Sequence, residues 1–200
     1  MNVNSGKWCY VTNRYIIRFF DLVLSILGLI FFTPAMVLIF FLILIEIRAP
    51  IFWQKRLGQN QTPFTLIKFR TMKTTTVSVA THLAHPDSVT YFGGFLRRTK
   101  LDEVPQLWNV LRGEMSLVGP RPSLMSQTEV IEARQKLGVF SVRPGITGLA
   151  QIKGVDMSTP KLLAETDAEM ISGMSVTNYF KYILLTLTGH GLGDLVKKIK

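Results

Sequence analysis

Leu22-Val23-Leu24-Ser25-Ile26-Leu27-Gly28-Leu29-Ile30-Phe31-Phe32-Thr33-Pro34-Ala35-Met36-Val37-Leu38-Ile39-Phe40-Phe41-Leu42-Ile43-Leu44-Ile45 is a run of 24 residues without one charged side chain. As a straight helix it is roughly 36 Å long, enough to cross a hydrocarbon core of about 30 Å. It is too long for the apolar part of a signal peptide, and no small-residue cleavage site follows it. A single spanning anchor is the plain reading, and two features oppose it. Pro34 lies at mid-run, lacks an N–H and kinks a helix, leaving halves of roughly 17 Å, about one leaflet each. The Thr33 hydroxyl beside it can satisfy a freed carbonyl. Both flanks are also basic, with Lys7, Arg14 and Arg18 before the run and Arg48, Lys55 and Arg56 after it. Positive charge marks the cytoplasmic end of a membrane helix, and here both ends carry the mark. A helix that enters, bends at Thr33-Pro34 and leaves by the same face satisfies both flanks. On these residues alone, spanning and re-entry stand level.

Two hundred residues leave room for one domain of about 150 beyond this segment. The division expected is a membrane segment over 1–48 and a second domain over 49–200. The net charge of +10 and pI near 9.9 ask for an anionic partner, which can be nucleic acid, membrane surface or nucleotide phosphate. A mean hydropathy of +0.27 favours the membrane. Cys9 stands alone, which excludes a disulfide framework and a zinc cysteine set.

Past Pro50 the pattern changes to strands. Ile51–Lys55 and Phe64–Met72 flank the turn-rich Gly58-Gln59-Asn60-Gln61-Thr62-Pro63 and predict a hairpin. With period two, Lys68 and Arg70 share one face of the second strand, either as a phosphate-binding edge or as a solvated face. Residues 73–90 read as a loop, with His82 and His85 as loop histidines rather than metal ligands. Thr159-Pro160 opens a helix over 159–171. The apolar stretch Asn178–Leu187, followed by Lys197, Lys198 and Lys200, is too short to span and either lies at the interface or packs on the core.

The chemistry concentrates in residues 97–122. Arg97, Arg98 and Lys100 precede the acid pair Asp102-Glu103, and Pro105 opens a helix with apolar Leu107, Val110 and Leu111, closed by Gly113. Free N–H groups at that helix start favour an ionised carboxylate, which can serve as nucleophile or metal ligand, or can merely cap the helix. Pro120-Arg121-Pro122 presents a guanidinium from a stiff backbone, so little entropy is lost when it grips a phosphate. Arg143-Pro144-Gly145-Ile146-Thr147-Gly148 combines arginine, proline and glycine again, and neither segment matches a P-loop or dinucleotide fingerprint.

Lys100-Leu101-Asp102-Glu103-Val104-Pro105-Gln106-Leu107-Trp108-Asn109 together with Gly113-Glu114-Met115-Ser116 and Gly119-Pro120-Arg121-Pro122 closely resembles the signature of the bacterial sugar transferases, small monotopic phosphoglycosyl transferases. Asp21 with the run broken at Thr33-Pro34, Lys68-Phe69-Arg70-Thr71-Met72 and Val142 to Gln151 match as well, so the likeness extends from about residue 14 to about 155. It implies a mixed α+β, mostly helical fold: a re-entrant membrane helix, a β-hairpin, and a catalytic domain with interfacial amphipathic helices on the cytoplasmic face of the bacterial inner membrane.

The implied reaction moves a sugar-1-phosphate from a UDP-sugar to undecaprenyl phosphate through a phosphosugar bound to Asp102, releasing UMP. Mg²⁺ held by Asp102 and Glu103 is implied as cofactor, with Glu103 as ligand or base. Arg97 and Arg121 match phosphate-binding positions and Lys68 a position near the site, with Arg70 beside it. Arg143, Pro144, Gly145, Thr147 and Gly148 are expected to form a nucleotide or sugar loop. Membrane lipids are expected partners and nucleic acid is not; a homodimer is left open. Two departures stand out: Thr33 replaces the usual serine, and Asn178-Tyr179-Phe180-Lys181 lies where the family usually has an aspartate. The competing classes are a glycosyltransferase that moves only the sugar and releases UDP, and a non-enzymatic module that binds anions through its charge.

Overall fold

The computed structural model describes residues 4–75 and 86–189. His82, His85 and the three C-terminal lysines lie outside the described residues. Most of the chain is helical. Helix α1 (Asn4–Ile47) is followed by the antiparallel hairpin β1 (Ile51–Leu57) and β2 (Pro63–Phe69). Then come α2 (Tyr91–Thr99), α3 (Gln106–Leu111), β3 (Ser116–Val118), α4 (Thr128–Lys136), β4 (Gly145–Thr147), α5 (Leu149–Ile152), α6 (Pro160–Ser172) and α7 (Val176–Leu187).

The hairpin takes its register from the predicted turn. Ile51 pairs with Phe69 and Phe52 with Lys68, and the connection reverses through Asn60, whose φ of 53° suits an asparagine. The second sheet is a parallel pair, Ser116 with Gly145 and Val118 with Thr147. Strands of three residues carry too few alternations to be read from sequence.

Helix α1 runs through Pro34 as one element rather than two. Proline removes one bond from the ladder, at the Ile30 carbonyl. The Thr33 hydroxyl donates to the neighbouring Leu29 carbonyl at 2.6 Å, not to the freed one. The helix packs along the rest of the protein from both sides of the apolar run. Ahead of the run, Arg18 donates to the Val110 carbonyl at 2.8 Å, and Asp21 accepts from Ser116, Leu117 and Tyr179. Towards the other end, Ile39 and Ile43 join Phe69 and Leu96 in one core cluster. Between them the helix shows lipid-like surface: Ile30 is 67% exposed and Phe31 76%.

A second cluster gathers Phe64, Leu66, Val110 and Met115 under the hairpin, and a third joins Val118, Met170, Tyr179 and Tyr182. The third cluster decides how α7 lies. Tyr179 and Tyr182 face the core while Leu184 and Leu187 stay exposed, so the helix packs on one side and leaves an apolar strip on the other.

Candidate active site

The acid pair sits where one helix hands over to another. α2 ends at Lys100, whose φ of 56° reverses the chain and whose N–H closes on the Arg97 carbonyl. A single turn, Leu101–Glu103, leads through Pro105 into α3. That reversal turns Asp102 inward, 6% exposed, and leaves Glu103 half-buried.

Three elements bring cations to this turn. Asn109 of α3 imitates a strand neighbour for β2: its amide donates to the Thr65 carbonyl at 2.8 Å and its oxygen accepts from the Ile67 N–H at 3.1 Å. The next residue on β2 is Lys68, which this clamp sets within electrostatic reach of Asp102, Arg97 and Arg121. Arg97, on the last turn of α2, donates from Nε to the Thr71 hydroxyl at 2.8 Å. α2 rides directly on Thr71, and a Cβ at Gly93 would stand 2.3 Å from the Thr71 carbonyl oxygen.

Arg121 arrives from the Pro-Arg-Pro turn. Prolines have no N–H, so carbonyls are the handles by which this stretch can be fixed. Four consecutive ones are held from four directions. Gly145 N–H donates to Pro120 at 2.9 Å, Arg134 Nη1 to Arg121 at 2.7 Å, Arg56 Nη1 to Pro122 at 3.0 Å, and Leu57 N–H to Ser123 at 3.0 Å. The Arg121 guanidinium then pairs with Glu103 at 3.3 Å.

Arg134 is itself buried, 1% exposed, with Nη2 at 2.7 Å and Nε at 3.0 Å from Asp167 Oδ2. Burial pushes the Asp167 carboxyl up, against the pull of Arg134. Burial likewise pushes the Lys68 ammonium down; Asp102 opposes this, while Arg97, Arg56 and Arg121 add to it. Lys68 thus acts on Asp102 and senses Arg97 and Arg121, and Arg121 pairs with Glu103, in a partly dry setting where charge acts at longer range than in water.

Arg70 shares the Phe52 ring with Lys68, whose Nζ is 5.5 Å from its centroid, while the other predicted residues lie elsewhere. Arg70 donates to the Ala49 carbonyl at 3.0 Å and stacks its guanidinium 5.1 Å from the Phe52 ring centroid, tying the end of α1 to the hairpin. Arg143 donates from Nε to the Gly113 carbonyl at 2.8 Å and sits beside Arg14, Arg18 and Asp21. Gly145 and Thr147 form β4. Gly145 lies against the Gly119 backbone so closely that an added Cβ would meet the Gly119 nitrogen at 2.0 Å. Among their described contacts, Pro144, Gly145 and Thr147 brace β3 and the Arg121 turn rather than the acid pair. Gly148 likewise backs onto the Gly119 carbonyl, 2.5 Å from where a Cβ would stand.

Sequence reasoning missed Arg134 and Asp167, and it gave Asn109 of the signature and the flanking Arg56 no positioning role; each acts through a partner at least 13 positions away.

The chain matches the bacterial sugar transferase family over residues 12–190. It belongs to that family. A UDP-glucose:undecaprenyl-phosphate glucose-1-phosphate transferase of Escherichia coli is 39% identical, over 88% of this chain and 40% of that one. A protein of the same description from Caulobacter vibrioides is 36% identical over 85% of this chain and 67% of that one. An uncharacterized sugar transferase of Haemophilus influenzae is 35% identical over 77% of this chain and 36% of that one. The chain thus spans about two fifths of the length of several relatives it matches.

Among the described residues no three Asp, Glu, His or Cys side chains gather as a ready metal cage. Asp102 and Glu103 offer two adjacent hard oxygen ligands beside cations. That set suits Mg²⁺, which takes one or two carboxylates and completes its shell with water and substrate phosphate.

Proposed function

We infer that this family member transfers a sugar-1-phosphate from a UDP-sugar to undecaprenyl phosphate at the cytoplasmic face of the bacterial inner membrane, an early membrane step of glycoconjugate assembly. The observation that carries the reading is a buried carboxylate, Asp102, within electrostatic reach of Lys68, which in turn senses Arg97 and Arg121, with Arg121 paired to the neighbouring Glu103. The names of the Escherichia coli and Caulobacter vibrioides relatives support the same donor and acceptor classes.

The reaction balances in two displacements. An Asp102 oxygen attacks the phosphorus next to the sugar, the P–O bond to the uridine-bearing phosphate breaks, and UMP leaves. An oxygen of the lipid phosphate then attacks the same phosphorus. The bond to Asp102 breaks, the diphosphate-linked lipid forms and the carboxylate is restored. Covalent catalysis splits one hard displacement into two easier ones. Lys68, Arg97 and Arg121 hold the charge that spreads over the phosphoryl oxygens, the usual large term in phosphoryl transfer. Glu103 fixes the Arg121 fork at 3.3 Å. Asp102 and Glu103 would hold Mg²⁺, which would supply further neutralisation of the diphosphate.

The packing of α1 supports a re-entrant, monotopic placement. Residues near both ends of the apolar run rest on the same folded body, at Asp21 on one side and at Ile39 and Ile43 on the other. A spanning helix separates its ends by about 30 Å of hydrocarbon, which places only one of them on that body. A bend at Thr33-Pro34 buries the exposed middle in one leaflet and keeps Asp102 at headgroup depth.

The test is UMP release from a panel of UDP-sugars with undecaprenyl phosphate and Mg²⁺, comparing the wild type with Asp102→Asn. Lipid-dependent UMP that vanishes in the variant is expected. UDP as product, or an Asp102→Asn enzyme that still turns over, overturns the reading.

A further inference from the structure

A second group of cations sits at the end of α3 remote from Asp102. Arg14 and Arg18 of α1 and Arg143 of the loop before β4 line a cavity of about 80 Å³, and among the described residues Asp21 is the one acid in its lining. Three guanidiniums against one carboxylate leave an excess of two positive charges. Asp21 is already committed: Oδ1 accepts from the Ser116 hydroxyl, the Leu117 N–H and the Tyr179 hydroxyl, and Oδ2 stands 3.8 Å from Arg18.

The arginines are not equally engaged. Arg18 directs its donors to the carbonyls of Val110, Leu111 and Met115, closing the C-terminal end of α3. Among the described residues, Arg143 engages only Nε, and Arg14 only one long bond of 3.3 Å to the Ser141 carbonyl. Burial and then the like charge of Arg18 hold the Arg143 guanidinium below its ordinary range; Asp21 opposes this and Arg14 adds to it. Cations crowded into a partly desolvated hollow favour an anion of matching geometry, and guanidinium forks match phosphate.

The cavity's place narrows the ligand. Arg14 and Arg18 precede the apolar run, and basic residues beside a membrane segment attract lipid phosphates. Ile171 and Met174 give the cavity an apolar wall beside its cations. A phosphate with the first carbons of an acyl chain fits that mixture.

We propose that this cavity is a phosphate site separate from the Asp102 cluster, filled by the phosphate of a membrane lipid or by free phosphate. It stands whether or not the transfer reaction above is correct. Occupied, it ties the root of α1 to α3 and to the Arg143 loop through one shared anion, fixing the catalytic body against the bilayer.

The experiment follows the thermal unfolding midpoint of the detergent-solubilised full chain during titration with dihexanoyl phosphatidic acid, dihexanoyl phosphatidylcholine or inorganic phosphate. Phosphatidic acid is expected to raise the midpoint more than phosphatidylcholine does. A shift with phosphatidic acid alone assigns a lipid-borne phosphate, and an equal shift with inorganic phosphate assigns the free anion; either supports the site. Arg14→Gln and Arg143→Gln are each expected to weaken the apparent affinity roughly ten- to a hundredfold, the loss of charge-assisted bonds to one anion. Arg14→Gln keeps the ligand-free midpoint of the wild type, because among the described residues it gives up one long surface bond. Arg97→Gln, in the Asp102 cluster, is expected to change the affinity less than about twofold. An affinity lost in Arg97→Gln and kept in Arg14→Gln places the anion at Asp102 and overturns the proposal. So does an equal response to phosphatidylcholine and phosphatidic acid, or no response to any of the three.

Discussion

Arg134→Met removes a side chain that touches no substrate in the proposed reaction, yet it should cost both stability and turnover. Arg134 and Asp167 are 1% and 0% exposed, and their ion pair closes at 2.7 Å. Asp167 Oδ1 is buried with no hydrogen-bond donor among the described residues, so Arg134 carries most of the compensation for that carboxylate. Breaking one partner of such a pair costs about 3–5 kcal/mol, because the remaining charge stays buried. For a chain of this size that is roughly 6–20 °C in the unfolding midpoint.

Acid should relieve the loss. Burial already holds the Asp167 carboxyl above its ordinary value of 3.8, and without Arg134 the opposing pull is gone. A carboxyl raised in the folded state carries no penalty below the unfolded value, and the penalty grows as pH rises past it. The deficit of Arg134→Met against the wild type is therefore expected to be larger at pH 7.5 than at pH 5. The double variant Arg134→Met with Asp167→Leu removes both charges and should recover most of the stability. It should not recover turnover, because the Arg121 carbonyl still lacks its donor and the phosphate-gripping side chain loses its anchor. Midpoints in detergent at the two pH values, with UMP release beside them, decide the matter. A single variant as stable as the wild type, or a double variant no better than the single, would falsify the account of this pair.

Lys68→Met should leave the unfolding midpoint unchanged or raised while lowering turnover by about a hundredfold, since burial works against the charged form and phosphoryl transfer depends on fixed cations; a marked loss of stability would show that the ammonium holds the fold together. Gly145→Ala sets a Cβ 2.0 Å from the Gly119 nitrogen, so backbone must move, at about 1–3 kcal/mol or more, and UMP release should fall as the Pro120 carbonyl loses its donor. Gly94→Ala serves as its control. Its added Cβ meets nothing within 4 Å on α2, and it should stabilise by about 0.5–1 kcal/mol; equal effects at the two glycines would refute the close-approach argument.

Helix, hairpin and acid-pair turn were legible because each rests on local rules. The apolar run set α1 and Pro160 set the start of α6. The Gly58–Pro63 turn fixed a hairpin whose strands end within two or three residues of the prediction. Within Asn178–Lys181 the packing of one residue was not legible from sequence. Tyr179 is fully buried, and its hydroxyl donates to Asp21 at 2.9 Å, fastening α7 to the root of α1.

The sequence by itself marked the acid pair Asp102-Glu103, its basic neighbours and the stiff Pro120-Arg121-Pro122 turn as candidates for chemistry, and the family resemblance singled out Lys68, Arg97 and Arg121 among the cations. Tertiary structure alone decided which of the arginines gather. It set Arg121 on Glu103, sent Arg70 to Ala49 and Phe52, and drew Arg143 to Gly113 beside Arg14 and Arg18. It also recruited Arg134 and Asp167 as a buried brace. The physical reason is reach. Turn chemistry and helix periodicity act over a few residues, whereas a guanidinium is assigned by whichever carbonyl or carboxylate the packed core brings within about 3 Å of it.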